Sequence, residues 1–340
     1  MKTVEIQAER SYDVVFVESW MKALMDFISD RPAVVIFPSA LKELTSEIPS
    51  TIHRIEVPDG EKQKSIESFS RVLNHIADLG IPRHGVIIGL GGGATTDVAG
   101  YVAASYLRGL EWIAIPTSLA GMVDASIGGK TGINLAAGKN LAGAFHSPSR
   151  VIIDEAFLAS LSERDLVAGM AEVAKCGFIS DPIILDLIEE GWRENLSELI
   201  FRAVKVKADV VSNDFRESFE REILNYGHTL GHAIERHSNY ELRHGECVSI
   251  GLIFAAALSR RFSGLSEIEY QRHERVLEIL GLPMSYPRDQ WRHLHELMQK
   301  DKKKRNNVRF VTLSEIGKPV RLESVEDGAL QSIYEEVVGR

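Results

Sequence analysis

Apolar positions over the first 160 residues come in short blocks. Thr3–Gln7 and Asp13–Val17 alternate polar and apolar residues and predict two short strands. Ala33–Phe37 is continuously apolar up to Pro38 and predicts a buried strand. Thr51–Val57, Gly85–Leu90, Glu111–Ile115 and Val151–Asp154 extend the series, punctuated by Asp59-Gly60 and Pro116. Helical spacing fills the gaps, over Ser19–Ser29, Ser65–Gly80 and Ala94–Leu107; the second lines up Ile66, Phe69, Val72, Leu73, Ile76 and Leu79. Strands alternating with helices predict a mainly parallel sheet. Residues 121–147, rich in glycine and small polar residues, read as a long functional loop.

Beyond residue 160 the texture becomes helical. Segments Glu163–Ser180, Pro182–Gly191, Leu196–Asn213, His228–His237, Gly245–Ser263, Ser266–Leu280 and Gln290–Lys300 carry helical periodicity, and Val308–Leu313 predicts one short strand. The expected fold is therefore an α/β N-terminal domain, residues 1–160, followed by an α-helical domain, residues 161–340.

Composition narrows the function classes. A net charge of -9 over 340 residues argues against nucleic acid or an anionic membrane as the main partner. The two cysteines, Cys176 and Cys247, give no disulfide framework and suggest a reducing compartment. The N-terminus lacks an apolar signal core and no apolar run approaches a membrane span, so a cytoplasmic protein is expected.

Candidate chemistry sits in four places. Gly89-Leu90-Gly91-Gly92-Gly93-Ala94 follows a predicted strand and opens a helix, a pattern that lets backbone N–H groups approach a pyrophosphate. It lies in mid-domain, and Glu111 is a poor candidate for the ribose acid of the usual fingerprint. Asp97 stands in the first turn of that helix, and Glu61 and Lys64 form an i, i+3 pair upstream. Asp124, Lys130, Lys139 and Asn140 lie in the glycine-rich stretch, where the lysines suit an anionic substrate. Glu172 and Lys175 share an otherwise apolar helix surface. Asn225–Glu246 holds four of the eleven histidines. Within it His228 and His232 stand one helical turn apart and His244 follows a short turn. Two such imidazoles and one carboxylate would make a three-ligand divalent-metal site. Spacing leaves open which two histidines bind, and whether the carboxylate is Glu172 or Glu246. The basic run Lys302, Lys303, Lys304, Arg305 reads as a solvated surface.

Six motifs taken together resemble the 3-dehydroquinate synthase family, with the flavour of its actinobacterial branch. They are Gly91-Gly92-Gly93-Ala94-Thr95-Thr96-Asp97, Tyr106-Leu107-Arg108-Gly109, Val123 to Gly132, Gly138-Lys139-Asn140-Leu141, Met170 to Lys175, and Asn225 to Glu235. The resemblance implies an NAD-dependent metalloenzyme, a carbon–oxygen lyase of the shikimate pathway. It would convert 3-deoxy-D-arabino-heptulosonate 7-phosphate into 3-dehydroquinate and phosphate. Transient oxidation at C5, phosphate elimination, re-reduction, ring opening and an intramolecular aldol closure make up the sequence. Carried over by position, Glu172, His228 and His244 become ligands of zinc or cobalt, and His232 becomes a substrate-site group. Lys130, Lys139, Asn140, Lys175, Lys207, Arg221, Asn225, Glu217 and one of Lys302 or Lys303 are implied around the substrate. Glu61, Lys64, Gly92, Gly93, Ala94, Asp97, Thr117 and Ser118 are implied around NAD, with Lys130 and Lys139 reaching it and Asp124 near both ligands. Arg108 is implied to serve the neighbouring subunit of a homodimer.

Two departures stand out. Pro38-Ser39 occupy a place where the family commonly has Asp or Asn, and Ser118 replaces a more usual Thr. The alternatives are a related sugar-phosphate cyclase, a metal-dependent polyol dehydrogenase, or an inactive relative acting as a scaffold. Related cyclases alter Arg221, Asn225 or His232, all of which keep the synthase identity here. A dehydrogenase would not need so many lysines, and a scaffold would have no need of an intact ligand set.

Overall fold

A computed structural model describes residues 2–216, 220–305 and 308–339, with residues 300–305 described by their backbone alone. The chain divides into two compact units, Met1–Leu161 with Lys207–Arg216, and Ser162–Val206 with Glu217–Arg340. The division is thus not a single cut, because ten residues of the second half belong with the first unit.

The first unit carries strands β1 (Lys2–Ile6), β2 (Tyr12–Phe16), β3 (Ala33–Pro38), β4 (Ile52–Val57), β5 (Val86–Gly91), β6 (Glu111–Pro116), β7 (Lys130–Leu135), β8 (Gly138–Phe145) and β9 (Arg150–Ile153). Its helices are α1 (Trp20–Ile28), α2 (Ile66–Asp78) and α3 (Gly93–Ser105). Seven strands form one sheet in the order β1-β2-β9-β6-β5-β3-β4, parallel except for the β1–β2 pair. All residues of β3 and β5 are buried, as strands covered on both faces require. Ser19 and Ser65 cap α1 and α2, each side-chain oxygen accepting a hydrogen bond from the backbone N–H three residues on.

The sheet order explains why the glycine run lies in mid-domain. From β3 the chain goes outward to β4, and from β5 it goes the other way to β6. The carboxyl ends of β3 and β5, Pro38 and Gly91, therefore flank a topological switch point, where open α/β sheets bind ligands.

The stretch 121–147 is not the structureless loop expected from its composition. Gly121–Ala125 forms a π-helical turn, and β7 and β8 pair antiparallel from Lys130↔Phe145 to Leu135↔Gly138, with a bulge between Ile133 and Leu135. Glycine and alanine fill so many of these positions that no apolar alternation marks the strands.

The second unit is helical: α4 (Glu163–Ile179), α5 (Ile183–Gly191), α6 (Leu196–Asn213, its last part in the first unit), α7 (His228–His237), α8 (His244–Phe262), α9 (Glu267–Leu280), α10 (Trp291–Arg305) and α11 (Asp327–Ile333). A hairpin of β10 (Arg309–Glu315) and β11 (Lys318–Glu323) joins them. The sequence predicts only the first of these two strands, because after Pro319 the alternation of β11 is confined to Val320–Glu323. Helix α8 is buried along most of its length, which places it at the centre of the unit. No described helix is long and apolar enough to cross a membrane.

Candidate active site

In the second unit the packing of α4, α7 and α8 brings one carboxylate and three imidazoles together. Glycine makes the approach close enough. A Cβ on Gly251 of α8 would lie 1.9 Å from the Gly227 carbonyl oxygen at the start of α7, and one on Gly245 would lie 1.8 Å from the Ala168 carbonyl oxygen of α4. Gly227 itself has φ 78°, which lets the chain turn sharply into α7.

Glu172 and Lys175 of α4 are both 2% exposed, and the Lys175 ammonium donates to Glu172 Oε2. Glu172 Oε1 lies 3.4 Å from His228 Nε2 and 3.3 Å from His244 Nε2, yet it is buried without a hydrogen-bond partner. The ligating atoms of His228, His232 and His244 lie within 4.8 Å of one another. His228 Nδ1 is 3.1 Å from the Tyr226 carbonyl oxygen. A carbonyl only accepts, so Nδ1 carries the proton and Nε2 presents its lone pair towards Glu172.

These distances can be set against the geometry of a metal shell. Bonds of about 2.0–2.1 Å in a tetrahedral zinc shell separate neighbouring ligand atoms by about 3.3 Å. The Glu172–His228 and Glu172–His244 separations match that edge. The otherwise orphaned Oε1 is a costly feature that a cation would satisfy. The residues therefore fit a divalent cation held by Glu172, His228 and His244, with His232 beside it and more exposed than His228 and His244. Glu246, the other carboxylate candidate, is engaged elsewhere: Arg164 Nε and Nη2 donate to it at 2.6 and 2.7 Å, and its own helix start donates from Arg243 N–H at 2.8 Å. Spacing along the chain could not separate these carboxylates, because helix packing decides which one faces the histidines.

The electrostatics follow the geometry. Burial would raise the Glu172 pKa, but Lys175 and then His228 and His244 hold it well below the usual carboxylate range. Burial would likewise lower His244, but the carboxylates of Glu172 and Glu235 raise it to about 10. Desolvation, and then the neighbouring His228 and His244, push His232 down, although part of its ring is open to solvent. Arg221 is 1% exposed, and Asn225 ends the short helical turn that precedes α7. His237 turns to the surface side of α7 and meets the Tyr286 hydroxyl at 2.8 Å.

In the first unit, Gly92 and Gly93 open α3 directly after β5. Lys64 is 4% exposed, and its ammonium lies 2.5 Å from Asp97 Oδ2 and 2.5 Å from Asn140 Oδ1. Burial raises the Asp97 pKa and Lys64 counters it. Glu61 Oε1 accepts from Asn134 Nδ2 at 2.7 Å and lies 3.5 Å from Lys139 Nζ. Asn134 also accepts from Asn140 N–H at 2.9 Å, and its own N–H donates to the Lys64 carbonyl at 2.8 Å. The β7–β8 hairpin and the Gly60–Lys64 turn are thus tied through Asn134, a residue that no chemical motif marks. The Lys207 ammonium, from the end of α6, donates to Asp124. Thr117 and Ser118 follow β6; Thr117 N–H donates to the Gly91 carbonyl at 3.0 Å, and Ser118 Oγ accepts from Gly121 N–H at 3.2 Å. Ala94 stands in the first turn of α3, and Lys130 opens β7 as an exposed residue. Ser39 donates to Glu56 at 2.8 Å. Leu107 and Arg108 adopt left-handed φ values of 49° and 65° on an exposed turn. Glu217 and the side chains of Lys302 and Lys303 lie outside the described residues.

Comparison with known proteins agrees with this architecture. Residues 54–168 match the 3-dehydroquinate synthase N-terminal family, and residues 169–304 match the 3-dehydroquinate synthase C-terminal family. A 3-dehydroquinate synthase of Saccharopolyspora erythraea is 44% identical, over 99% of this chain and 95% of that one. One of Mycolicibacterium vanbaalenii is 46% identical, over 98% of each. Among solved structures, a 2-epi-5-epi-valiolone synthase from Streptomyces hygroscopicus with NAD+ and Zn2+ bound superposes with a TM-score of 0.89 at 27% identity, over 98% of both chains. A structure described as a "probable glycerol dehydrogenase" from Sinorhizobium meliloti, at 16% identity, 94% coverage of both chains and a TM-score of 0.67, shares the fold alone.

Proposed function

The chain belongs to the 3-dehydroquinate synthase family, and on that premise we propose that it is a lyase converting 3-deoxy-D-arabino-heptulosonate 7-phosphate into 3-dehydroquinate and phosphate. The reading extends to a step in the shikimate pathway, in the cytoplasm. One observation carries it: the buried, unpartnered Glu172 Oε1, set 3.3–3.4 Å from the Nε2 atoms of His244 and His228.

In this reading the first unit is the NAD-binding domain and the second holds the metal. When bound, NAD supplies a reversible hydride acceptor, and zinc or cobalt polarises the substrate hydroxyls. Glu172, His228 and His244 hold the cation, and the Lys175 ammonium keeps Glu172 ionised. Gly92, Gly93 and Ala94 let backbone N–H groups meet the pyrophosphate, while Glu61, Lys64, Asp97, Thr117 and Ser118 line the rest of the nucleotide site. Lys130, Lys139, Asn140, Lys207, Arg221 and Asn225 orient the phosphate and carboxylate of the substrate. Arg221 brings a permanently charged fork suited to a carboxylate. Asp124 anchors Lys207, and His232 offers a hydrogen-bonding imidazole to the substrate. The C6 proton leaves on the departing phosphate, so no side chain needs to act as the sole base.

The proposal includes a homodimer in which Arg108 serves the neighbouring subunit. Light scattering should give twice the chain mass of 37.8 kDa; the mass of a single chain would contradict the dimer. The activity itself is tested by incubating the protein with the heptulosonate phosphate, NAD and zinc. Phosphate release without accumulation of NADH is expected. Sustained NADH formation from a simple polyol, with no phosphate released, would refute the synthase reading.

A further inference from the structure

Glu235 had no part in the ligand set or the substrate contacts, yet it is buried beside both. It lies on α7 at the third position of the series 228, 232, 235, which share one helical face. Its residue exposure is 8%, and its Oε2 lies 3.5 Å from His244 Nδ1. The other ring nitrogen, His244 Nε2, faces Glu172 Oε1 at 3.3 Å. The His244 imidazole therefore stands between two carboxylates, one on each side.

A ring nitrogen that ligates a cation must offer a lone pair, so the other nitrogen of a neutral imidazole carries the proton. Glu235 Oε2 faces that other nitrogen. We propose that Glu235 is a positioning residue, which accepts the His244 Nδ1 proton and so holds His244 in the tautomer and orientation that present Nε2 for metal binding. The inference rests on the metal site proposed above and names the residue that completes it.

The arrangement is asymmetric. His228 is oriented by a neutral acceptor, the Tyr226 carbonyl, fixed in the backbone. His244 is the first residue of α8, and the carboxylate that faces its Nδ1 comes from the neighbouring helix α7. An anionic acceptor also makes its imidazole the more basic ligand.

The test is zinc binding by the full-length chain, stripped of metal and titrated against a chromophoric chelator. Glu235→Ala should weaken zinc binding about 10- to 100-fold, the usual cost of removing a partner behind a metal-bound histidine. Glu235→Gln, whose carbonyl oxygen still accepts from Nδ1, should bind zinc more tightly than Glu235→Ala. Zinc binding by Glu235→Ala equal to that of the unmodified chain would overturn the inference while leaving the metal site standing. No zinc binding by the unmodified chain would overturn the metal site itself. If Glu235→Ala does not fold, Glu235→Gln decides by NMR of the zinc-loaded protein. The His244 Nδ1 proton should be visible and shifted between the two chains, and an unshifted signal with unchanged zinc affinity would refute the role.

Discussion

An added Cβ at Gly251 in the second unit would lie 1.9 Å from a backbone oxygen, whereas at Gly92 in the first its nearest neighbour, Ser118 Oγ, would be 3.2 Å away. The two glycines do different work. Gly251 removes an atom so that one helix can rest on another, and the protein itself fills the space. Gly92 leaves room beside the opening of α3 that only a movable hydroxyl approaches. The carboxylate and imidazoles of the second unit are consequently set by helix packing, with the far nitrogens of His228 and His244 engaged or faced by acceptors. The polar groups of the first unit, Glu61, Lys64, Asp97 and Asn140, are set by side-chain pairs between a turn, a helix and a hairpin. A packed site should fail together with its fold, and a paired site should lose affinity first.

Gly251→Ala should therefore have the largest effect. Its Cβ meets backbone, which cannot swing aside, so a cost above about 3 kcal/mol is expected, at or beyond the upper end for overpacking. Urea unfolding would measure it, and zinc capacity should fall in parallel. A variant as stable as the parent would mean that α7 and α8 are not held this closely.

The second unit should also lose stability in acid through a group away from the ligands. His273 is fully buried against Phe178, with ring centroids 3.7 Å apart. Its Nδ1 lies 2.8 Å from the Glu269 carbonyl oxygen, which fixes the proton there, so Nε2 accepts from the Tyr226 hydroxyl at 2.9 Å. Burial lowers its pKa to about 4. Below about pH 6.5 the unfolded chain binds a proton that the folded one refuses. The contribution of His273 is thus intact above pH 6.5 and is lost as the pH falls towards 4, up to about 3 kcal/mol. His273→Phe should flatten this part of the stability profile; an unchanged slope would show that His273 does not carry it.

Gly92→Ala should be the mildest to the fold. Stability should stay within about 0.5 kcal/mol, as for substitutions that meet no rigid neighbour. NAD should bind about tenfold more weakly, equivalent to about 1.4 kcal/mol. A large loss of stability with NAD affinity unchanged would reverse the contrast between the two glycines.

The same contrast explains what could be read in the sequence. Continuous apolar blocks such as Ala33–Phe37 and Gly85–Leu90 announced buried parallel strands, and the helical second half was equally legible. The order of those strands was not, so the position of the glycine run between β3 and β5 became intelligible only in three dimensions. The β7–β8 hairpin was hidden because Gly132, Ala142, Gly143 and Ala144 give no alternation. Histidine spacing marked α7 but left open which two histidines bind. Motif resemblance pointed to His244 and Glu172, and Glu172 Oε1 lies 3.4 and 3.3 Å from His228 and His244 Nε2. Glu235 was in view at the end of the histidine motif, but only the proximity of α7 to His244 reveals what it faces.

The central claim is that Glu172, His228 and His244 hold the metal while His232 stands aside. Cobalt(II) absorption of the purified chain and its single alanine variants tests it most directly. His232→Ala should retain one cobalt per chain with a little-changed ligand-field spectrum, whereas His228→Ala and His244→Ala should lose both. Loss of cobalt from His232→Ala as complete as from His228→Ala would contradict the assignment and favour a site of three histidines.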